Sequence, residues 1–547
     1  MVFLGIVLMA VAVWQLLPSP KKDGGVVPSF SDGADGDKKK SSKKKKKSSA
    51  KSSSKNASSK KSSKKKSSSK KGSSSKLKTA ELGRPLKVAI VTWGGYAGGL
   101  YANKGLEPDK DSIFWEDYDL AVEFRVIDDY PASRAAFKLG GDKGGVDIMW
   151  ATVDSYALEY PSLKDQNPRA FMQYDWSRGG DAIAVTKNIR TVADLKGKRV
   201  AVAEGTPSHY FALYLLSQAD MRTGDVRWVF TDSAVEAAQL FRQKRVDAAV
   251  SWSPDVYLAA EDRKGGHILA STRDASSLIA DVFVARGDFA KKHPEVLARF
   301  MMGWFEGVEK VNAKPSRAYK YLQDSFEGVD RDTAKAMLKD VKLPSYAENL
   351  DFFEISGEQL RGYDDIFDEA TGLWRSLGKI SGRARASKSR STRYLKAIRK
   401  EAEKRFGRVE TKAPTREFNF DFSGSDKGAD KDPILTKRIS IFFPSGKSTL
   451  DDNQKFILDG AARLAQTFGA ARMRVSGNTD DVGSRKNNVR LSRARAQAVV
   501  DYMVRAHNFP PDKFIVVGNG PDNPIADNDT DEGRKKNRRT DFEIVGR

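Results

Sequence analysis

Cysteine is absent from this 547-residue chain, which excludes a disulfide framework, thiolate metal sites, a cysteine nucleophile and attachment through a lipidated cysteine. Histidine is nearly absent: His209, His267, His293 and His507 are scattered, and no two stand at the spacing of a metal pair. A glycine-rich phosphate loop and a G-x-S-x-G nucleophile elbow are also missing. The expectation is a protein without catalysis, with no metal and no cofactor.

Acid is missing from one long stretch. Between Lys38 and Lys78 there are nineteen lysines, mostly interleaved with serine, and no Asp or Glu. With Lys21, Lys22 and four aspartates, the first 78 residues carry +17 of the formal net +23. The remaining +6 is ordinary for folded domains and requires no nucleic-acid partner. A lysine and serine run cannot bury enough apolar surface to offset chain entropy, and its like charges keep it extended, so residues 20–83 read as a disordered linker. About 60 such residues reach on the order of 200 Å when stretched. The lysines can also attract anionic envelope polymers or lipid headgroups.

Ahead of the linker, Val2 to Leu17 is an almost unbroken apolar run, and residues 1–19 are expected to be a membrane helix. Lys21 and Lys22 behind it favour a cytoplasmic C-terminal side by the positive-inside rule. The expectation set by residues 437–547 overrides that bias. Ala10 and Ala12 make a cleaved signal peptide the alternative.

From residue 84 to 378 short apolar runs alternate with helical segments: LKVAIVT, GVDIMWA, KRVAVAEG and VDAAVSW. This pattern predicts an α/β domain whose ligand loops lie beyond the strand ends, where helix N-termini offer unpaired amides. The segments TVADLKGKRVAVAEGTPSHY, TWGGY and RVDAAVSWSPD resemble type 2 periplasmic solute-binding proteins of the nitrate/sulfonate/taurine (NitT/TauT) group of ABC importers. The resemblance implies a two-lobed periplasmic-binding-protein fold, a small polar solute and an ABC permease partner. Carried onto this sequence, the family's pocket loops point to Trp93, Tyr96, Thr152, Thr206, Ser208, Trp252 and Asp255. Thr206 and Ser208 at a helix start suit an anionic group, whereas Asp175 and Asp255 repel one and favour an amine. His209 beside these loops is read first as structural.

Residues 379–436 return to basic and polar composition and are expected to be a second linker, with RYLKAIRKEAEKRFG as an exposed helix. Residues 437–547 hold the most specific signal. Met473 and Val475 suggest a strand, Gly477 to Gly483 supply turn chemistry, and a helix follows. Asn488, Leu491, Arg495, Ala498 and Tyr502 recur along that helix at three- and four-residue steps. A carboxylate at Asp480 and a guanidinium at Arg495 suit the two ends of an amino-acid-like zwitterion.

Thr479, Asp480, Gly483, Asn488, Leu491, Ser492, Arg495 and Ala496 match the TD-x-x-G-x(4)-N-x-x-LS-x-x-RA signature, so the segment resembles the OmpA-like peptidoglycan-binding domain, an α+β fold. Gly533, Arg534, Asn537, Arg538 and Arg539 match its second block, G-R-x-x-N-R-R, and Asn478 replaces the usual histidine. The resemblance implies that Asp480 and Arg495, with Thr479, Asn488 and Arg539, hold the free end of diaminopimelate in the wall stem peptide. The whole chain then reads as a periplasmic solute-binding protein of a Gram-negative envelope, anchored to the inner membrane and attached to the wall. The rival reading is a structural, stator-like tether whose solute-binding fold is an interaction module.

Overall fold

Among the described residues the short apolar runs form fifteen strands in chain order. They are β1 (Leu86–Ile90), β2 (Val122–Val126), β3 (Ile148–Thr152), β4 (Arg169–Ser177), β5 (Asp181–Thr186), β6 (Arg199–Ala203), β7 (Arg227–Thr231) and β8 (Ala248–Trp252). There follow β9 (Gly266–Ser271), β10 (Ala280–Ala285), β11 (Val341–Lys342), β12 (Leu435–Ile439), β13 (Arg472–Asn478), β14 (Phe514–Gly520) and β15 (Thr540–Val545). This computed structural model describes residues 77–357, 361–381, 384–407, 432–439, 441, 443 and 447–546. The expected membrane segment 1–19 and nearly all of the lysine-rich linker 20–83 lie outside the described residues. Among the described residues, no helix is long and apolar enough to cross a membrane.

Three sheets result. The first has the order β11-β4-β10-β3-β1-β2, the second β7-β6-β8-β5-β9 and the third β12-β15-β13-β14. In each of the first two, crossover helices make part of the sheet parallel: β2, β1 and β3 in one, β7, β6 and β8 in the other. Returning strands β10 and β5 pair antiparallel with these. Two lobes therefore stand side by side, with β4 to β5 and β9 to β10 as the crossings. Thr272 ties the crossings together: its hydroxyl oxygen accepts from the Gly179 and Asp181 amides at 2.8 and 3.2 Å and lies 3.2 Å from the Ser177 hydroxyl.

The first lobe is centred on the amphipathic helix Pro294–Ala313, which buries Phe300, Met301, Trp304 and Phe305. It approaches the helix Ala97–Asn103 very closely. A Cβ added at Gly99 would sit 2.1 Å from the Trp304 ring, and one at Gly307 would sit 2.0 Å from the Gly98 carbonyl oxygen. In the second lobe the helix Pro207–Gln218 is buried from Pro207 to Leu216. A helix that is apolar on every side needs cover on every side.

The C-terminal segment around the third sheet supplies part of that cover, while residues 408–431 of the expected second linker lie outside the described residues. The Tyr214 hydroxyl donates to Thr467 Oγ1 at 3.1 Å, the Ser277 amide to the Thr467 carbonyl at 3.2 Å, and the Val192 amide to the Ile434 carbonyl at 2.8 Å. Lys437 pairs with Asp220. The basic segment is not the exposed helix expected from its charge. It folds as Ala386–Ser389, Arg393–Ala397 and Arg399–Phe406. Tyr394, Leu395, Ile398 and Ala402 stand at helical spacing and are buried. The Tyr394 hydroxyl donates to the Ala290 carbonyl at 3.0 Å, and Arg405 pairs with Glu306 at 2.7 Å. The charges of RKEAEKRF occupy the other face of an amphipathic segment seated on the first lobe.

Candidate functional site

The parallel strands of both lobes end at one cleft of about 660 Å³. Asp128 to Pro131 follow β2, Ala203 ends β6 and leads into Glu204 to Thr206, Thr231 ends β7 and leads into Asp232 to Ala234, and Trp252 ends β8. Strand ends meet helix starts here. Asp129 Oδ1 accepts from the Ala132 amide at 2.7 Å, and Ser233 Oγ from the Glu236 amide at 3.2 Å. Thr206 caps the helix Pro207–Gln218 by accepting from the His209 amide at 3.3 Å, and its hydroxyl donates to the Ala203 carbonyl at 2.8 Å. The lobes touch where Ser155 Oγ lies 3.5 Å from the Gly205 carbonyl.

The solute-site residues expected from sequence separate into three groups, with Asp255 apart from all of them. Thr206 and Trp252 line the cleft. Thr152 and Ser208 are buried. Thr152 accepts from the Ser155 amide at 3.3 Å, and Ser208 donates to Asp181 Oδ1 at 2.5 Å, so both hydroxyls have protein partners. Trp93, Tyr96 and Asp175 belong to a different cluster. The Trp93 indole N–H donates to Asp175 Oδ2 at 2.7 Å, while Tyr96 is fully buried, its ring stacked on Tyr174 at 4.9 Å. Asp255 opens the helix Asp255–Asp262 and is not among the cleft residues. His209 is buried against Trp228, Phe230 and Trp374, and its Nδ1 accepts from the Gly205 amide at 3.2 Å. Burial pushes its pKa down to about 4, so it stays neutral.

Sequence reading missed the acids and aromatics that dominate the cleft: Asp128, Asp129, Tyr130, Glu159, Glu204, Phe230 and Asp232. Several follow β2 and β7 just as Thr206 follows β6. The strand-end argument applied to those two strands would have found them.

Four carboxyl groups lie buried around the lobe boundary. Asp175 and Asp281 are directly paired on β4 and β10, and burial together with their mutual repulsion pushes Asp281 well above the usual carboxylate range. Asp154 is fully buried near the start of the helix Val153–Glu159. Burial drives it up to about 7 against a lowering hydrogen bond from Thr152, and the negative charge of Asp181 adds to the rise. Asp181, buried on β5, is raised by burial to about 6 against hydrogen bonds from Ser208 and Ser177. Asp154 Oδ2 accepts from Ser155 Oγ at 3.3 Å, whereas Oδ1 has no hydrogen-bond partner.

The third sheet builds a second site. Thr479 to Ser484 leave β13 and lead into the helix Arg485–His507, which Ser484 caps. Asn488 holds the loop, its amide donating to the Asp480 and Val482 carbonyls at 3.3 and 3.1 Å. The Thr479 hydroxyl donates to the Asp480 carbonyl at 2.7 Å. Gly477 lets strand and helix approach, since a Cβ there would sit 2.2 Å from the Ser492 carbonyl oxygen. The buried face of the helix runs through Asn488, Ser492, Arg495, Ala496 and Val499; Leu491 and Ala498 are half-buried beside it.

Arg495 lies over the Phe443 ring at 5.0 Å, and its Nε donates to the Lys447 carbonyl at 3.1 Å. Burial lowers its pKa, Asp480 opposes that and Arg538 reinforces it, so the three charges share one neighbourhood. The ion pair to Asp480 comes from Arg538 at 2.5 Å. Arg539, the arginine expected from sequence, is buried instead and pairs with Asp541 at 3.0 Å. Two adjacent arginines entering a strand must face opposite ways, and the motif alone does not say which faces out.

Comparisons with known proteins agree with this division. The model of the family described as "ABC transporter, phosphonate, periplasmic substrate-binding protein" matches residues 116–319, and that of the OmpA family matches residues 442–538. Outer membrane protein A of Bordetella avium is 40% identical over 117 residues, 21% of this chain and 60% of that protein. The taurine-binding periplasmic protein of Escherichia coli K12 is 27% identical over 209 residues, 38% of this chain and 62% of that protein. In each case less than two thirds of the relative is spanned. The aliphatic sulphonate binding protein SsuA of Escherichia coli, a solved structure, covers 56% of this chain and 92% of its own at 16% identity, with a TM-score of 0.45. One chain thus carries two separate likenesses, residues 116–319 to periplasmic substrate-binding proteins and residues 442–538 to the OmpA family.

Proposed function

We propose that this protein captures a small polar solute between the two lobes, for ABC-type uptake or sensing, while its C-terminal domain attaches non-covalently to peptidoglycan. Residues 1–19 hold it to the inner membrane, and the binding domains work in the periplasm. The cleft is the observation that carries the reading. It stands where parallel strands of two sheets end, is bounded by helix starts from both lobes and is lined by polar and aromatic groups. A collapsed apolar contact there would have favoured the purely structural tether.

At the wall site, the stem peptide's free ammonium goes to Asp480, and its carboxylate to Arg495 and Arg538. Each end of the zwitterion gains a charge-assisted hydrogen bond while Asn488 and Thr479 hold the loop. No side chain in this arrangement needs to act as nucleophile, acid or base. Ligand-dependent melting of the full chain against a metabolite panel, with co-sedimentation on purified wall, tests both halves. A chain that neither shifts its melting with any metabolite nor sediments with wall refutes the proposal.

A further inference from the structure

The charge of the cleft narrows the solute class. Five carboxylates line it, Asp128, Asp129, Glu159, Glu204 and Asp232, and no Lys, Arg or His does. Glu159 is paired with Arg134 at 2.8 Å and Glu204 with Lys379 at 2.6 Å. Arg134 packs beside the edge-to-face rings of Tyr130 and Trp150, 4.8 and 4.6 Å from their centroids, and it is Tyr130 rather than Arg134 that lines the cleft.

Asp128 accepts only from the backbone amide and hydroxyl of Thr92, and Asp129 from a helix amide. Asp232 forms no ion pair among the described residues. Three carboxylates thus face the cleft without a cation. Aromatic rings of Tyr130, Phe230 and Trp252 stand among them, and Phe230 is 49% exposed although large and apolar.

A second observation points the same way. On the helix that contributes Leu158 and Glu159 to the cleft, Asp154 Oδ1 is fully buried with no hydrogen-bond partner, and Asp181 of the other lobe adds negative charge nearby. Ser155 and Thr152 satisfy part of this carboxyl group, and the oxygen left over is costly unless a ligand completes it.

On the reading that the cleft captures a solute, we infer that this solute is an organic cation, carrying an ammonium or guanidinium group held by the acidic rim and the aromatic faces of Tyr130, Phe230 and Trp252. Rings and carboxylates together attract a cation through the ring quadrupole and through charge. The same uncompensated carboxylates repel a phosphonate or sulfonate, which would bring a further negative charge against them. Thr206 and Ser208, the hydroxyls suited to an anion, are already engaged with Ala203 and Asp181.

The test titrates the full chain, at physiological salt, with putrescine, agmatine and choline and in parallel with methylphosphonate and ethanesulfonate, by calorimetry and tryptophan fluorescence. At least one cation should bind one to one. Asp232→Asn and Phe230→Ala, both at exposed positions, should each weaken it by about tenfold, and Asp154→Asn, which keeps the shape, should weaken it as well. If an anion binds and no cation does, the inference falls while solute capture stands. If cations bind but all three variants bind them equally well, the cation sits elsewhere and the inference falls. Binding of no probe of either sign refutes both the inference and the capture reading beneath it.

Discussion

Replacing Asp154 by Asn should change stability in a pH-dependent way whose sign and size follow from its burial. The ordinary carboxyl value is 3.8, and burial holds the folded group up at about 7. Above pH 4 the unfolded chain gives up this proton while the folded chain keeps it. Stability from the protonated group is therefore fully present below pH 4 and is lost as pH rises to 7. Three units at about 1.36 kcal/mol each make the loss about 4 kcal/mol once complete.

Asparagine keeps the shape and cannot ionise. Most of its gain over the natural protein arises between pH 5 and pH 8, where the stability difference should move by about 2 to 3 kcal/mol in favour of Asp154→Asn. Its amide also meets the place where Asp154 Oδ1 has no partner, but that contribution is the same at both pH values and drops out of the comparison. Urea unfolding followed by tryptophan fluorescence at pH 5 and pH 8 measures the quantity. A difference unchanged between the two pH values, or one that moves against the variant as pH rises, refutes the argument.

Asp480→Ala and Arg538→Ala should each abolish co-sedimentation with purified wall and leave the far-ultraviolet spectrum intact, whereas Arg539→Ala should lower stability by about 3 to 5 kcal/mol because it strands the buried Asp541. Retained wall binding by both of the first two variants would reject the site. Gly477→Ala should cost about 1 to 3 kcal/mol, since its Cβ meets the Ser492 carbonyl, and should weaken wall binding with it; an unshifted melting temperature would show that strand and helix can part. Calorimetry of the full chain should show the C-terminal domain melting with the second lobe, and combining Tyr214→Phe with Thr467→Val should split that transition; two separate transitions in the natural protein would mean that the contacts around Thr467 do not couple them.

The sequence by itself determined the local elements, because they follow from short-range pattern. Alternating apolar runs specified β1, β3, β6 and β8, and turn residues placed the loop after β13. The family resemblance, carried onto the loops at the ends of β6 and β8, reached Thr206 and Trp252. Tertiary structure decided what depends on contacts between distant segments. Tyr96 follows a strand end too, yet it stacks on Tyr174 in the core because β4 brings that ring beneath it.

Arg538 faces Asp480 and Arg539 faces Asp541 because β15 pairs with β13 in one register, and neighbouring side chains on a strand alternate. The basic segment after residue 379 was read by its charge, but four apolar residues spaced along one face decided its placement, and charge does not reveal what a face packs against. Likewise the helix Pro207–Gln218 announced, by being apolar all round, that something must cover it. Only the fold shows that the cover includes Thr467 from some 250 positions away, since sequence separation carries no information about which surfaces meet.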